Sequence, residues 1–380
     1  MKIGLALSGG GTRAAIFHLG VLRRLALDGR LEQIACVSSV SGGSIAIALV
    51  MSHAGVKWPT SQEYLTSVYP ELRNLLSSRD LFSVGAIAAS PLHWHRVFTN
   101  RARIVADFLE KRWQVKGDLI ELPDSPRWLI NTTCIETGKN WRFSKMEMGD
   151  WVFGKHYQPP FSVAEAAAAS AAVPYVIGSL AFKLPVEGWY ETNPGTKEPL
   201  GRKALPFRKV NLWDGGAYEN LGLEPLYKIE QGMINCDCVL VSDASGGLPP
   251  VGGSSLIKLL RGQLSSPRLF DISSDQIRFL RSRMFVSALT RGEAKGAFIR
   301  MGNSVRDIDI ACNRLQAPSH YAAFQSDADA QFALKHPTTL SAVTAHEFER
   351  IARNGFEIAN ATINAYCKEL NLSKQIWEAH

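Results

Sequence analysis

The chain has no apolar run long enough to cross a bilayer, which takes about 20 residues; its longer runs, such as Ile45 to Met51, stop far short. It also lacks a basic leader followed by a long apolar stretch and enters a strand-like segment at once, so no secretory signal is expected. Cysteine is scarce, with six residues at positions 36, 134, 236, 238, 312 and 367, several inside apolar segments and none in a C-x-x-C pair. That usage suits reduced, buried thiols; even with His93 and His95, Cys236 and Cys238 give no four-ligand zinc spacing. There is no calcium loop, no internal repeat and no Pro/Ser/Gly tract. These absences predict a soluble, cytoplasmic protein without metal or cofactor, built as a single domain over residues 1–380 with inserted helical and loop segments at about 52–125 and 250–335.

What is present lies mostly at strand ends. Lys2 to Leu7 is a nearly continuous apolar run, as in a buried parallel strand, and Ala14 to Leu27 carries Ile16, Leu19, Leu22 and Ala26 at helical spacing. Between them stand Ser8 and the triplet Gly9-Gly10-Gly11. Glycine tolerates positive φ, so the N–H groups of such a loop can converge on one oxygen while the helix N-terminus adds partial positive charge. A second turn, Ser39-Val40-Ser41-Gly42-Gly43, joins the run Ile34 to Val37 to the apolar stretch Ile45 to Val50. This is the strand-turn-helix setting of a nucleophile elbow, with Ser41 at the tip and Ser39 where the motif has its first glycine. A third, Asp214-Gly215-Gly216, ends the strand-like run Lys209 to Trp213 and presents an isolated acid at a carboxyl edge, where ligand chemistry gathers in open α/β sheets. Asp243, after Cys238 to Ser242, is the second candidate acid.

Two other chemistries fit parts of this pattern. Gly9-x-Gly11-x-x-Ala14 matches the dinucleotide fingerprint, whose acid belongs at the end of the second strand. Glu32 falls near the required distance but precedes that strand, so a dinucleotide-binding oxidoreductase stands as the alternative, beside a catalytically silent binding or effector protein. A Ser-Asp-His triad needs a histidine. His18, inside the first helix, reads as structural, and His320 is the best placed of the nine for the chain order of α/β-hydrolases.

In this order the blocks resemble the patatin-like phospholipases. Gly9-Gly10-Gly11-Thr12-Arg13 is similar to their oxyanion-hole motif G-G-G-x-[RK], Ser41 to the nucleophile of G-x-S-x-G, and Asp214-Gly215-Gly216 to their D-G-[GA] acid. Ala169-Ser170-Ala171-Ala172-Val173-Pro174 is similar to their A-S-x-A-x-P block, and Arg353-Asn354-Gly355-Phe356 echoes their C-terminal helix. The resemblance implies a three-layer α/β fold, a mostly parallel central sheet flanked by helices, and a Ser41–Asp214 dyad acting on fatty-acyl esters of a lipid or phospholipid. Gly9, Gly10 and Gly11 would form the oxyanion hole. Arg13 would either bind a substrate phosphate or close the loop.

The formal charge is +7, and between Leu256 and Arg300 nine basic residues face three acidic ones. Such a stretch, with Arg278, Arg281 and Arg283 beside the apolar Ile277, Leu280, Met284 and Ala288, is expected to offer an anionic lipid surface a peripheral contact; no nucleic-acid partner is expected. Leu81 to Trp113 is a second interfacial candidate. Trp128 to Cys134 and Trp141 to Phe143 are predicted to pair as strands, Leu184 to Phe207 to form a loop, and Ser162-x-x-Glu165 and Thr344-x-x-Glu347 to cap helices.

Overall fold

The computed structural model describes residues 1–81, 101–193, 199–205, 207–248 and 266–378. The apolar run at the start forms β1 (Ile3–Leu7), buried along its whole length and paired in parallel with β2 (Ile34–Val40) and β13 (Cys238–Asp243). β14 (Gly296–Arg300) extends this parallel set beyond β13, and β3 (Arg127–Cys134) extends it beyond β2. Residues 250–335 are therefore not wholly an excursion from the body, because they supply the edge strand β14.

At β3 the sheet changes character. β4 (Asn140–Phe143) pairs with it antiparallel, as the turn at Thr137–Asn140 predicts, and β5 (Glu147–Asp150), β6 (Gly154–Tyr157), β8 (Trp189–Thr192) and β9 (Pro199–Arg202) continue antiparallel. The expected loop from Leu184 to Phe207 thus holds two strands. Pro199 is compatible with one because it opens an outer strand and needs no ladder N–H there. β7 (Leu180–Lys183) pairs with β10 (Lys209–Asp214), and a small ladder joins β11 (Tyr227–Lys228) to β12 (Gly232–Met233).

Because side chains alternate across a strand, the parallel part has two cores. Ile3, Leu5 and Leu7 face one with α1 (Gly11–Ala26), α2 (Gly42–His53), α3 (Val163–Ser170) and α5 (Ala345–Tyr366). Ala6, Val239 and Val241 face the other with Phe285 and Ala288 of α4 (Ser266–Thr290). The result is three layers. α2 is apolar on every side and buried from Gly42 to Ser52, as a helix wrapped by neighbours must be. α1 and α5 cross at two glycines: a Cβ on Gly20 would lie 1.9 Å from Ala352 O, and one on Gly355 2.1 Å from Phe17 O. Both predicted capping boxes form, Ser162 with Glu165 and Thr344 with Glu347.

Among the described residues no helix is long and apolar enough to cross a membrane, and no group of side chains has the makings of a metal site. His93, His95, Lys258, Arg261 and the centre of the Leu81–Trp113 segment lie outside the described residues. At that segment's ends Leu81 and Trp113 are fully buried and Arg103 pairs with Glu165. The basic stretch needs one correction. Arg278 is only 4% exposed and pairs with Asp243 and Asp275, so it faces the protein rather than a membrane. Leu280 moves the other way, 61% exposed on the outer side of α4 with Leu269, Ile272 and Val286.

Candidate active site

The candidate nucleophile and acid meet because two strands end head-on. β4 occupies one edge of β3, and on the other edge β2 runs parallel as far as the pair Val40↔Asn131. β10 takes over that edge at the very next position, Asp214↔Thr132, running antiparallel. The carboxyl ends of β2 and β10 therefore point at each other, and the residues leaving the sheet there are Ser41 and Asp214. Sequence reasoning placed Asp214 at a strand's carboxyl edge and read that strand as buried. β10 instead alternates buried residues with more accessible ones along its length, the mark of an antiparallel strand.

Ser41 sits at φ 50° and ψ −117°, a conformation that a side-chain-bearing residue adopts only when its surroundings impose it. Those surroundings leave no room for larger neighbours. A Cβ on Gly42 would lie 2.3 Å from Gly11 O, and one on Gly43 2.6 Å from Leu7 O. Ser39 fits the place of the motif's glycine because its hydroxyl is paired, 2.9 Å from Ser44 Oγ and accepting from Trp128 Nε1 at 2.9 Å.

Asp214 is 5% exposed. Its carboxylate accepts the Gly216 N–H at 2.7 Å, the Ser41 side chain is near enough to lower its pKa, and no described cation pairs with it. Burial dominates and pushes its pKa up to about 6, against those two contacts, which pull it down. A carboxylate of that pKa is ionised at neutral pH yet readily protonated, as a general base requires.

The glycine loop abuts the elbow. A Cβ on Gly9 would lie 3.0 Å from Ser41 Cβ and 2.4 Å from Asn220 Oδ1, a neighbour that the sequence reading missed. Gly10 and Gly11 have φ of 141° and 65°, and among the described residues their amides have no hydrogen-bond partner. Arg13 points away from this pocket. It is 3% exposed, its Nη1 donates to the carbonyls of Leu334 (2.9 Å) and His336 (2.8 Å), and burial lowers its pKa to about 10. Of its two expected roles, these carbonyl contacts suit loop closure.

The other sequence candidates lie apart. Asp243 is bound to Arg278 at 3.1 Å and to the Ser245 N–H at 3.0 Å. Glu32 is held by the N–H and hydroxyl of Ser61, so it is committed to a turn rather than to a ribose. His18 is fully buried between Ser242 Oγ (2.8 Å) and Ser8 O (2.9 Å), and burial lowers its pKa to about 4. His320 is exposed on a short helix, stacked with Tyr321 and Phe324. Among the described residues no histidine bonds Ser41 or Asp214.

The structure also supplies a neighbour that the motifs did not assign. Ser170, the last residue of α3, accepts the Ser41 N–H at 2.9 Å, and two residues on Ala172 O accepts the Asp214 N–H at 2.9 Å. A lone hydroxyl ending an alanine run was the visible trace of this.

Solved structures resemble the chain in fold. The human GIVD cytosolic phospholipase A2 aligns with a TM-score of 0.56 at 15% identity, covering 97% of this chain and 62% of the human one. The same enzyme in complex with methyl gamma-linolenyl fluorophosphonate aligns with a TM-score of 0.53 at 16% identity, over 97% and 58%. The chain thus spans about six tenths of the length of that enzyme. Among proteins of curated function none matches in sequence. The sequence pattern of the patatin-like phospholipases matches residues 5–227, more than half of the chain and including every block that converges on the elbow. The chain belongs to the patatin-like phospholipase family.

Proposed function

We propose that this protein is a serine hydrolase of fatty-acyl esters, acting on glycerophospholipids or lysophospholipids through a Ser41–Asp214 dyad. The observation that carries the proposal is a buried carboxylate without a described counter-cation, brought by the head-on ends of β2 and β10 to a serine on a strained turn. As the ester carbonyl approaches, Ser41 Oγ attacks its carbon and passes its proton to Asp214. The charge that develops on the carbonyl oxygen is met by the amides of Gly10 and Gly11, which have no other partner to give up. The acyl–oxygen bond breaks, Asp214 returns the proton to the departing alcohol, and the acyl group stays on Ser41. Water, deprotonated by the same carboxylate, then releases the fatty acid and restores the serine. Protons and one acyl group move without any change of oxidation state, so no redox partner enters the cycle.

The lipid would be met from the aqueous side by peripheral contact. Tyr175 and Val176, three and four residues past the Ala172 carbonyl that holds Asp214, are each 60% exposed, and Tyr175 packs on Phe270 of α4, near the exposed Leu269 and Ile272. This supports apolar contact with a lipid layer more than docking through Arg278.

The test is covalent labelling with a fluorophosphonate, the group carried by the ligand of the human structure. The expected result is one adduct by intact mass, mapped to Ser41 and absent from Ser41→Ala, followed by fatty-acid release from a phospholipid panel. An unlabelled wild-type protein would return the chain to the silent binding or effector reading.

A further inference from the structure

A line of buried hydroxyls runs beneath the elbow, and its proton directions follow from chemistry alone. Ser170 Oγ lies 2.7 Å from Asn131 O, a carbonyl that only accepts, so the single Ser170 hydrogen is committed there. Ser44 Oγ, 2.8 Å from Ser170 Oγ, must then donate to it. Ser39, 2.9 Å from Ser44, must donate in turn to Ser44, and its own oxygen accepts from Trp128 Nε1 at 2.9 Å. Every member is satisfied and every hydrogen is spoken for. The Ser170 oxygen takes one further bond, from the Ser41 N–H at 2.9 Å.

This line ends on the same strand position that divides the site. Asn131 pairs with Val40, the residue before Ser41, and a Cβ on Gly215, the residue after Asp214, would lie 2.5 Å from Asn131 O. Ala172 O receives the Asp214 N–H. We infer that Ser170 is a positioning residue for the hydrolysis: with Ala172 it brackets the backbones of Ser41 and Asp214, and the Trp128–Ser39–Ser44 line fixes the bracket. Two consequences follow. Using its N–H on Ser170 keeps that amide out of the oxyanion hole and opposes relaxation of the strained φ of Ser41. Ser39 becomes a link in this line rather than a flaw in the elbow.

The inference rests on the hydrolase reading, and the experiment separates the two. Ser170→Ala and the near-isosteric Ser170→Cys, whose sulfur is a weak acceptor, are assayed on a soluble short-chain ester beside Ser52→Ala, a buried hydroxyl at the far end of α2 that bonds Lys116 O. Both Ser170 variants are expected to lose on the order of 10 to 10²-fold in kcat with KM unchanged, the scale of a misplaced reacting group. Their acid limb should also move to higher pH, because displacing Ser41 weakens the contact by which its side chain lowers the Asp214 pKa. Ser52→Ala should keep the wild-type limb whatever it does to Tm, and Ser170→Thr, if folded, should recover kcat. Wild-type kcat or an unmoved limb in a folded Ser170 variant overturns the inference alone. A wild-type protein that neither hydrolyses nor labels overturns the hydrolase reading, and this inference with it.

Discussion

Two aspartates end two strands of the same sheet, both almost fully buried, and they have opposite electrostatic lives. Asp243, at the end of parallel β13, is met by the Arg278 guanidinium at 3.1 Å. Asp214, at the end of antiparallel β10, is met by the Gly216 amide at 2.7 Å, with no described cation. Burial raises the free energy of the charged form in both places. At Asp243 a guanidinium opposes that cost; at Asp214 only neutral donors do, they offset it in part, and the remainder appears as a raised pKa. Position at a strand end therefore does not distinguish the proposed base from Asp243; the missing cation does.

The sharpest way to break this comparison is to remove the charge from each acid in turn. Asp214→Asn is expected to lower kcat/KM by roughly 10²–10⁴-fold, the range for loss of a general base, while Asp243→Asn should stay within about tenfold per folded molecule. In wild-type protein the acid limb of kcat/KM should fall near pH 6, where Asp214 takes up its proton. A limb insensitive to Asp214→Asn would remove the carboxylate from the mechanism.

Arg278→Gln tests the other side. It leaves Asp243 buried without its cation and should cost about 3–5 kcal/mol of stability, read as a fall in urea midpoint, with salt dependence of vesicle binding unaltered. Loss of vesicle binding without loss of stability would restore Arg278 to a membrane role.

A smaller effect has the opposite sign at Asp214. Its folded pKa, about 6, lies above its ordinary value of 3.8, so the folded protein binds a proton that the unfolded chain has already released between those pH values. Stability from this group is greatest below about pH 4, declines as pH rises toward 6 and is flat above. Ionised Asp214 thus costs the fold about 3 kcal/mol at neutral pH. Asp214→Asn should raise Tm at pH 7.5 and lose that advantage at pH 4; equal gain at both pH values would refute the assignment. His320→Asn, on an exposed helix away from both acids, should change turnover least, by less than about twofold, and a collapse there would reinstate a triad.

The comparison also shows what was readable in the residues. β1, the glycine loop and the elbow follow from local rules, an apolar run stopped by glycines and then a helical pattern, because each is built from neighbours in sequence. Strand direction is not local. Lys209 to Asp214 reads as a strand, but only pairing with β3 sets it antiparallel and turns its end toward Ser41. Burial of Arg278 depended on an aspartate 35 residues away, and the role of Ser170 on a serine 129 residues away. The strands within Leu184 to Phe207 were hidden by prolines whose tolerance depends on sheet position. Arg13 could be narrowed to two uses by chemistry, and only its burial against distant carbonyls shows which one its contacts suit.

The partners of Arg13 bear on where this chain can be cut. The carbonyls that hold Arg13 belong to Leu334 and His336, Thr339 O accepts the Thr12 N–H at 2.9 Å, and the same stretch bonds back to Leu76 and Leu81. The matched family span stops at residue 227. A fragment excised at that boundary would carry nucleophile, acid and all three glycines and still lack the buttress of its oxyanion loop. Portability of the chemistry is limited by a strap that makes no contact with the reacting atoms, so a shortened catalyst would have to bring a substitute for residues 334–343.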